Sequence, residues 1–387
     1  MRQALRAVVV FVLSILVVPC AIVVALVRTR GPVKRSLWVA HPVPTVALKA
    51  AAERSLGVHV ETLAFQTGRL ADRFDHDLSQ LRAGPLGVLA PFATFLWAVH
   101  RFDRLHFFFD RGLLPLLVPR QFNPVELFLY RLLSKETFFW AYGADVRTRA
   151  ATLQLGEPNC CSNCPHPGRY CICRDEAGRA NVQRINRTAT ATFSIGDMTI
   201  YTPHSNNDLY YWPIDLDDPR FAPCLPDPKS TRPLRVLHAP NHRHFKGTEH
   251  IIAAIERLRE RGIAIELDLV ENLPHAEAIE RYRSADVVVD QCLIGFHGYF
   301  SLEAMALGKP VLCFLRDPQR DVLAPDECPI VNIRPETIER QLETLVTDRR
   351  LAHELGLQGR AYIERYYSVQ AFADRLGSAY KRLGVVS

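Results

Sequence analysis

The sequence predicts an α/β protein of two doubly wound domains facing across a cleft, preceded by an N-terminal membrane helix. Three observations carry this reading. An uncharged apolar stretch opens the chain, apolar runs alternate with amphipathic ones along the rest, and a proline- and aspartate-rich stretch divides that body in two. The length of 387 residues fits two domains with an appendage. With 48% hydrophobic and 23% charged residues the composition is ordinary for a globular chain, and no low-complexity tract or solenoid-period repeat interrupts it.

The membrane helix comes first. Ala7 to Val27 carries no charge. At ~1.5 Å per residue such a run covers the ~30 Å of a hydrocarbon core. It is longer than the apolar core of a secretory signal, and no convincing cleavage site follows it. Pro19 predicts a kink or a re-entrant bend within it. Arg2 and Arg6 precede the stretch, while Arg28, Arg30, Lys34 and Arg35 follow it. That asymmetry predicts an anchor in the inner (cytoplasmic) membrane with the large domains in the cytoplasm. These six residues also account for the whole net charge of +6, since the remainder holds 41 basic against 41 acidic residues. A nucleic-acid partner is set aside, because the folded body carries no basic excess.

After the anchor (1–35), the first domain is predicted over 36–210. Strands are expected at 36–40, 58–65, 105–110 and 138–141, with helices at 46–56 and 125–133. Residues 211–233 hold six prolines and read as a linker. The second domain, 234–387, shows strands at 234–239, 263–270, 287–290, 310–314 and 330–333. Helices are expected at 248–261, 276–284 and 301–307, and two long helical patterns over 335–366 and 369–383 close the chain. Strand–helix alternation of this kind predicts parallel sheets covered by helices, with ligand at the C-terminal ends of the strands.

The chemistry concentrates in the second domain. Glu303 is expected to open a helix after a loop with Gly295 and Gly298. Such a helix start offers backbone N–H groups to a phosphate, and its carboxylate can accept from ribose hydroxyls. Gly298-Tyr-Phe-Ser-Leu-Glu-Ala-Met-Ala-Leu-Gly-Lys-Pro-Val311 closely resembles the nucleotide-binding segment of retaining glycosyltransferases of the GT-B fold, the large family-four group. His238-Ala-Pro-Asn-His-Arg-His-Phe-Lys-Gly-Thr248 is similar to the segment in which the family's arginine and lysine bind the donor diphosphate. Lys246 matches that lysine, and Arg243 is the nearest arginine. Two cations beside a helix N-terminus suit a leaving diphosphate on electrostatic grounds as well.

The resemblance implies catalytic roles for Glu303, Lys246 and Arg243, and donor contacts from Gly298, Phe300, Ser301 and His297. It also implies two Rossmann-like domains, retention of configuration and no cofactor required for catalysis. Tyr210 to Asp217 resembles the family's interdomain segment. Tyr142-Gly-Ala-Asp145 resembles an acceptor-side loop in which relatives carry histidine at the position of Tyr142. The family pairs Glu303 with a second glutamate eight positions earlier, where this chain has Gly295; Asp290 and His297 are the polar groups nearby.

Cys160, Cys161, Cys164, Cys171 and Cys173 cluster with His166 in an insert near 156–180. Their spacing makes them candidate ligands of a structural zinc; disulfides or free thiols are the alternatives. Asn186-Arg187-Thr188 fits a glycosylation acceptor, which a cytoplasmic domain would not use.

The expected activity is transfer of a sugar from a nucleotide-sugar donor to a lipid-linked or polysaccharide acceptor at the membrane. A nucleotide-sugar epimerase of the same fold and a degenerate, non-catalytic scaffold are the rival readings.

Overall fold

The computed structural model describes residues 2–27, 31, 33–40, 43, 45–65, 74–79 and 87–385, without the side chains of 2–7 and of Cys171. The basic residues Arg28 and Arg30 lie outside the described residues. The chain divides into two compact units. Unit 1 is Met1–Arg149, Gly168–Leu209 and Ala373–Ser387, and unit 2 is Ala150–Pro167 and Tyr210–Phe372.

Unit 1 begins with helix α1 (Arg2–Leu26), followed by β1 (Arg35–Ala40), α2 (Thr45–Ser55), β2 (His59–Ala64) and β3 (His76–Asp77). Next come α3 (Ala90–Arg101), β4 (Arg104–Phe108), α4 (Pro124–Leu132), β5 (Glu136–Trp140), α5 (Asp175–Asn186) and β6 (Ala191–Phe193). Its sheet is parallel throughout, in the order β3-β2-β1-β4-β5-β6. Every residue of β4 is buried, as a strand covered on both faces requires. The sequence did not announce α3 or α5. Helix α3 lacks a side-chain N-cap and has nine apolar residues among its twelve, so no polar stripe marks its period.

Unit 2 holds β7 (Leu234–His238), α6 (Thr248–Glu260), β8 (Ile265–Leu269), α7 (His275–Ser284) and β9 (Val287–Val289). It continues with α8 (Tyr299–Ala306), β10 (Val311–Cys313), β11 (Val331–Asn332), α9 (Ile338–Thr347) and α10 (Arg349–Tyr366). This sheet is also parallel, in the order β11-β10-β9-β7-β8. The long helical pattern over 335–366 is two helices, broken at Asp348, whose side chain caps the second by accepting from Leu351 N at 2.9 Å.

Two of the expected boundaries move. The proline-rich stretch 211–233 is not a free linker but packs within unit 2. Ile214 N donates to Tyr367 O at 2.7 Å, Cys224 N to Leu307 O at 2.8 Å, and Tyr211 is fully buried. Proline content marks extended backbone, and here that backbone lies on α8 and α10. The closing helix α11 (Val369–Arg382) leaves unit 2 at Phe372. Its later turns belong to unit 1, where the Tyr380 hydroxyl donates to Glu53 Oε1 at 2.9 Å.

The apolar helix expected at the N-terminus is present, with Val8–Leu26 long and apolar enough to cross a membrane.

Candidate functional site

In unit 2 the strand order reverses at β7, which has β8 on one side and β9 on the other. Ligands of open α/β sheets bind outside the carboxyl ends of the strands at such a switch point. The segments leaving β7 and β9 meet there.

After β7 the chain forms a short helical turn, Arg243–Lys246, that ends in Gly247 at φ +73°. Asp290 follows β9 directly and is completely buried. Its Oδ1 takes the Lys246 ammonium in an ion pair. Its Oδ2 accepts from Gly298 N at 2.6 Å and from Ser301 Oγ at 2.7 Å. The carboxylate therefore occupies the N-terminus of α8, whose partial positive charge favours an anion. Burial pushes the Asp290 carboxyl up, but Lys246, Ser301 and Gly298 outweigh it and hold its pKa below the ordinary value. A Cβ on Gly298 would stand 3.1 Å from Asp290 Oδ2 and 3.2 Å from Lys246 Nζ, so a larger residue there would press on the pair.

Below this pair lies a neutral histidine. His238 Nδ1 is 2.8 Å from Val289 O and must donate to it; Nε2 then accepts from the Thr248 hydroxyl at 2.8 Å. Burial lowers its pKa to about 4, so the ring stays neutral and ties β7, β9 and α6 together.

Helix α8 starts at Tyr299, with Gly298 as its N-cap, so Glu303 does not open the helix. It lies a turn further in, almost wholly buried, and accepts from His275 Nε2 at 2.6 Å. Burial lowers the His275 pKa, but the Glu303 hydrogen bond and charge more than reverse this and hold it above the usual imidazole value. Sequence reasoning missed His275. It is the first residue of α7 and follows Pro274, a helix-start signal that does not identify a partner. Phe300 is buried and tilts against Tyr282, ring centroids 4.7 Å apart.

His297 is buried among Phe296, Trp212 and Tyr367. Burial lowers its pKa to about 4. Its Nδ1 is 3.4 Å from Gly298 O, which can only accept, and its Nε2 has no hydrogen-bond partner among the described residues. Arg243 stands apart from Lys246, bound to Glu249 at 2.8 Å and to Glu271 at 3.0 Å.

Position 295, where the family pattern has its second glutamate, is held in a backbone conformation that favours glycine. Gly295 has φ +101°, and a Cβ there would meet Arg316 Cβ and Nε at 3.1 Å. Arg316 donates to Leu155 O at 3.0 Å and to Pro158 O at 2.5 Å, fastening the cysteine-bearing segment 150–167 within unit 2. His244 Nε2 donates to Cys160 O at 2.8 Å on the same segment.

Cys160, Cys161 and Cys164 belong to unit 2, while Cys171 and Cys173 belong to unit 1. Among the described residues no three His, Cys, Asp or Glu are grouped to hold a metal, and the Cys171 side chain is outside them. Cys173 Sγ accepts from Gly168 N at 3.3 Å.

In unit 1, Tyr142 and Asp145 follow β5. Asp145 accepts from Tyr142 N at 3.0 Å and Gly143 N at 2.9 Å, and the Tyr142 hydroxyl donates to Asp110 at 2.8 Å. Burial and the neighbouring Asp110 raise the Asp145 pKa to about 7. Lys49, also buried, has its ammonium 5.5 Å from the Phe108 ring and 5.6 Å from that of Trp140, and burial lowers its pKa to about 7.

No family model and no curated protein sequence matches this chain. Solved structures do. Sucrose-phosphate synthase from Thermosynechococcus elongatus superposes with a TM-score of 0.60 at 13% identity, covering 92% of this chain and 100% of that one. Anabaena HepE in complex with UDP-glucose gives 0.56 at 12% identity, covering 90% and 99%. WaaG, a glycosyltransferase involved in lipopolysaccharide biosynthesis, gives 0.51 at 14% identity, covering 92% and 99%. At these identities the likeness is one of fold, and the fold is GT-B: two units, each built on a parallel sheet covered by helices.

Proposed function

We propose that the protein is a glycosyltransferase that takes a sugar from a nucleotide-sugar donor and passes it to a lipid-linked or polysaccharide acceptor. The observation that carries this reading is the meeting of Lys246, Asp290, Gly298 and Ser301 at the switch point of unit 2. A cation is held there at the switch point, which suits a diphosphate that gains charge as it leaves. HepE, of the same fold, was solved with UDP-glucose.

In this reading Lys246 neutralises the departing diphosphate, and Asp290 is a positioning residue that keeps the ammonium at the start of α8. Glu303, held by His275, receives the ribose hydroxyls. The neutral His297 presents a lone pair at Nε2 and so accepts from a sugar hydroxyl; it does not donate to a phosphate. Phe300 and Ser301 shape the donor side. Arg243 reaches the diphosphate only by exchanging Glu249 and Glu271 for it. Tyr142 and Asp145, at the C-terminal end of the unit 1 sheet, stand on the acceptor side. Retention of configuration, independence from a cofactor and attachment to a membrane belong to the same proposal.

Gly295 favours a second reading, a non-catalytic nucleotide-sugar-binding scaffold. Product analysis separates the two, and the epimerase as well. Incubation with donor and glycolipid acceptor should release nucleotide and extend the acceptor in wild type, and do neither in Glu303→Ala and Lys246→Ala. Release without any acceptor dependence, with an epimerised donor, would replace the transferase. Equal inertness of all three folded proteins would leave the scaffold.

A further inference from the structure

Helix α1 is not a free-standing rod. Val10, Ser14, Val17 and Ala21 are buried, a spacing of four, three and four that forms one stripe along the helix. That stripe packs on α3 and α4 of unit 1. Polar contacts fix it at two levels: Asn123, the N-cap of α4, donates from Nδ2 to Ser14 Oγ at 3.4 Å, and the His100 ring lies 3.3 Å from Val24 O. The remaining circumference is bare. Only 22% of the Val8–Leu26 stretch is buried, and Val8, Phe11, Val12, Ile15, Leu16 and Val23 are exposed.

The apolar surface continues beyond the helix. Phe128 and Leu132, one turn apart on α4, are 56% and 50% exposed. Leu116 and Val118 are exposed in the segment before α4, and Asn123 Nδ2 also donates to Pro115 O at 2.9 Å, which brings that segment to the Ser14 level. A patch this extensive is not left to water.

We propose that α1 lies in the plane of a lipid bilayer with unit 1 docked along it, and that Phe128, Leu132, Leu116 and Val118 enter the same leaflet as its bare face. A helix spanning the bilayer in this docked arrangement would carry α3 and α4 into the hydrocarbon, with exposed His100 and Arg131 among their residues. Lying in the plane, α1 keeps its protein-covered stripe inward and its apolar remainder in lipid. In the sequence, Arg2 and Arg6 precede the apolar stretch and Arg28 and Arg30 follow it, a composition that suits anionic headgroups. This deepens the membrane part of the reading above and is independent of its donor chemistry.

The test uses the full chain with an N-terminal epitope tag, bound to preformed sealed vesicles of phosphatidylethanolamine and phosphatidylglycerol. Protease added outside should remove the tag completely. Phe128→Glu with Leu132→Glu should lower the floating fraction by about tenfold or more, given the apolar area withdrawn from lipid. Phe128→Ser with Leu132→Ser should act in the same direction, and an unchanged melting temperature shows both variants to be folded. A protected tag, variants that float like wild type, or a mature chain that begins after Leu26 each overturn the proposal. Wild type that does not float overturns it too. The donor-induced melting shift, read on the same samples, reports the transferase reading separately.

Discussion

The Asp290 carboxylate holds the Lys246 ammonium at the N-terminus of α8, and it is bonded there by Gly298 N and Ser301 Oγ as well. One buried acid thus takes up the backbone donor at the helix start and orients the cation that a diphosphate would use. Asp290→Asn keeps the shape and removes the charge, leaving Lys246, with 12% of its side chain exposed, without its counter-ion. Removing one partner of a buried pair costs about 3 kcal/mol or more. The variant should lose about that much in denaturant unfolding and bind donor more weakly. Because the native Asp290 pKa is depressed, its contribution is present above the unfolded carboxyl value and is lost as pH falls through the native one. Stability of wild type should therefore fall on acidification in a way that Asp290→Asn does not share.

Glu303 and His275 give a second, oppositely signed titration. The His275 pKa is raised, so its contribution is complete below the unfolded imidazole value of ~6.5 and is lost as pH rises through the native value. In Glu303→Gln burial remains while the charge is gone. The His275 resonance, followed by NMR, should then titrate below its wild-type midpoint and below the unfolded value. An unchanged midpoint would show that the two side chains do not pair in solution.

Gly295→Glu restores the acid found in the family pattern, and it should not raise transferase activity above that of wild type. The backbone at φ +101° and the Arg316 side chain 3.1 Å away oppose any Cβ. Backbone strain of this type costs roughly 1–3 kcal/mol. Displacing Arg316 would also free Leu155 O and Pro158 O. The expected outcome is a lower melting temperature and faster proteolysis within 150–167.

The closing helix is secured by a buried charge. Glu53 accepts from Arg104 at 2.8 Å, Ser36 at 2.8 Å, Trp38 at 2.7 Å and Tyr380 at 2.9 Å. Despite burial, His106 and Arg104 hold its pKa far below the usual carboxylate range. Tyr380→Phe removes one of four donors and should cost about 1–2 kcal/mol. Glu53→Ala leaves Arg104 buried with Glu136 as its carboxylate partner among the described residues and should cost about 3–5 kcal/mol. Equilibrium urea unfolding measures both.

Most strands were legible because parallel strands buried on two faces read as continuous apolar runs, and β4, β5 and β7 are of that kind; the two- and three-residue strands β3 and β6 are too short to show such a run. The helix after Gly298 and the cation at Lys246 were legible as well, since each sits in a local motif, although the helix starts at Tyr299 and not at Glu303. What the sequence did not show was partnership. Asp290 ends an apolar run and His275 begins a helix, but their ties to Lys246 and Glu303 span 44 and 28 residues. The same holds for Tyr380, which reaches Glu53 across 327 residues and so carries the end of the chain into unit 1. Proline content suggested that 211–233 is a linker, yet its hydrogen bonds to Tyr367 and Leu307 fold it into unit 2.

The most direct test of the central claim is donor binding followed by thermal shift. UDP-, ADP- and GDP-linked sugars are titrated against wild type, Lys246→Ala and Glu303→Ala. A bound donor stabilises the native state according to its concentration over its Kd; at a hundredfold excess over Kd this is about 2.7 kcal/mol. At least one nucleotide sugar should raise the wild-type melting temperature in proportion to the logarithm of its concentration, and the shift should shrink or vanish in both variants. No shift with any nucleotide sugar, or an equal shift in all three proteins, would contradict a donor site at the start of α8.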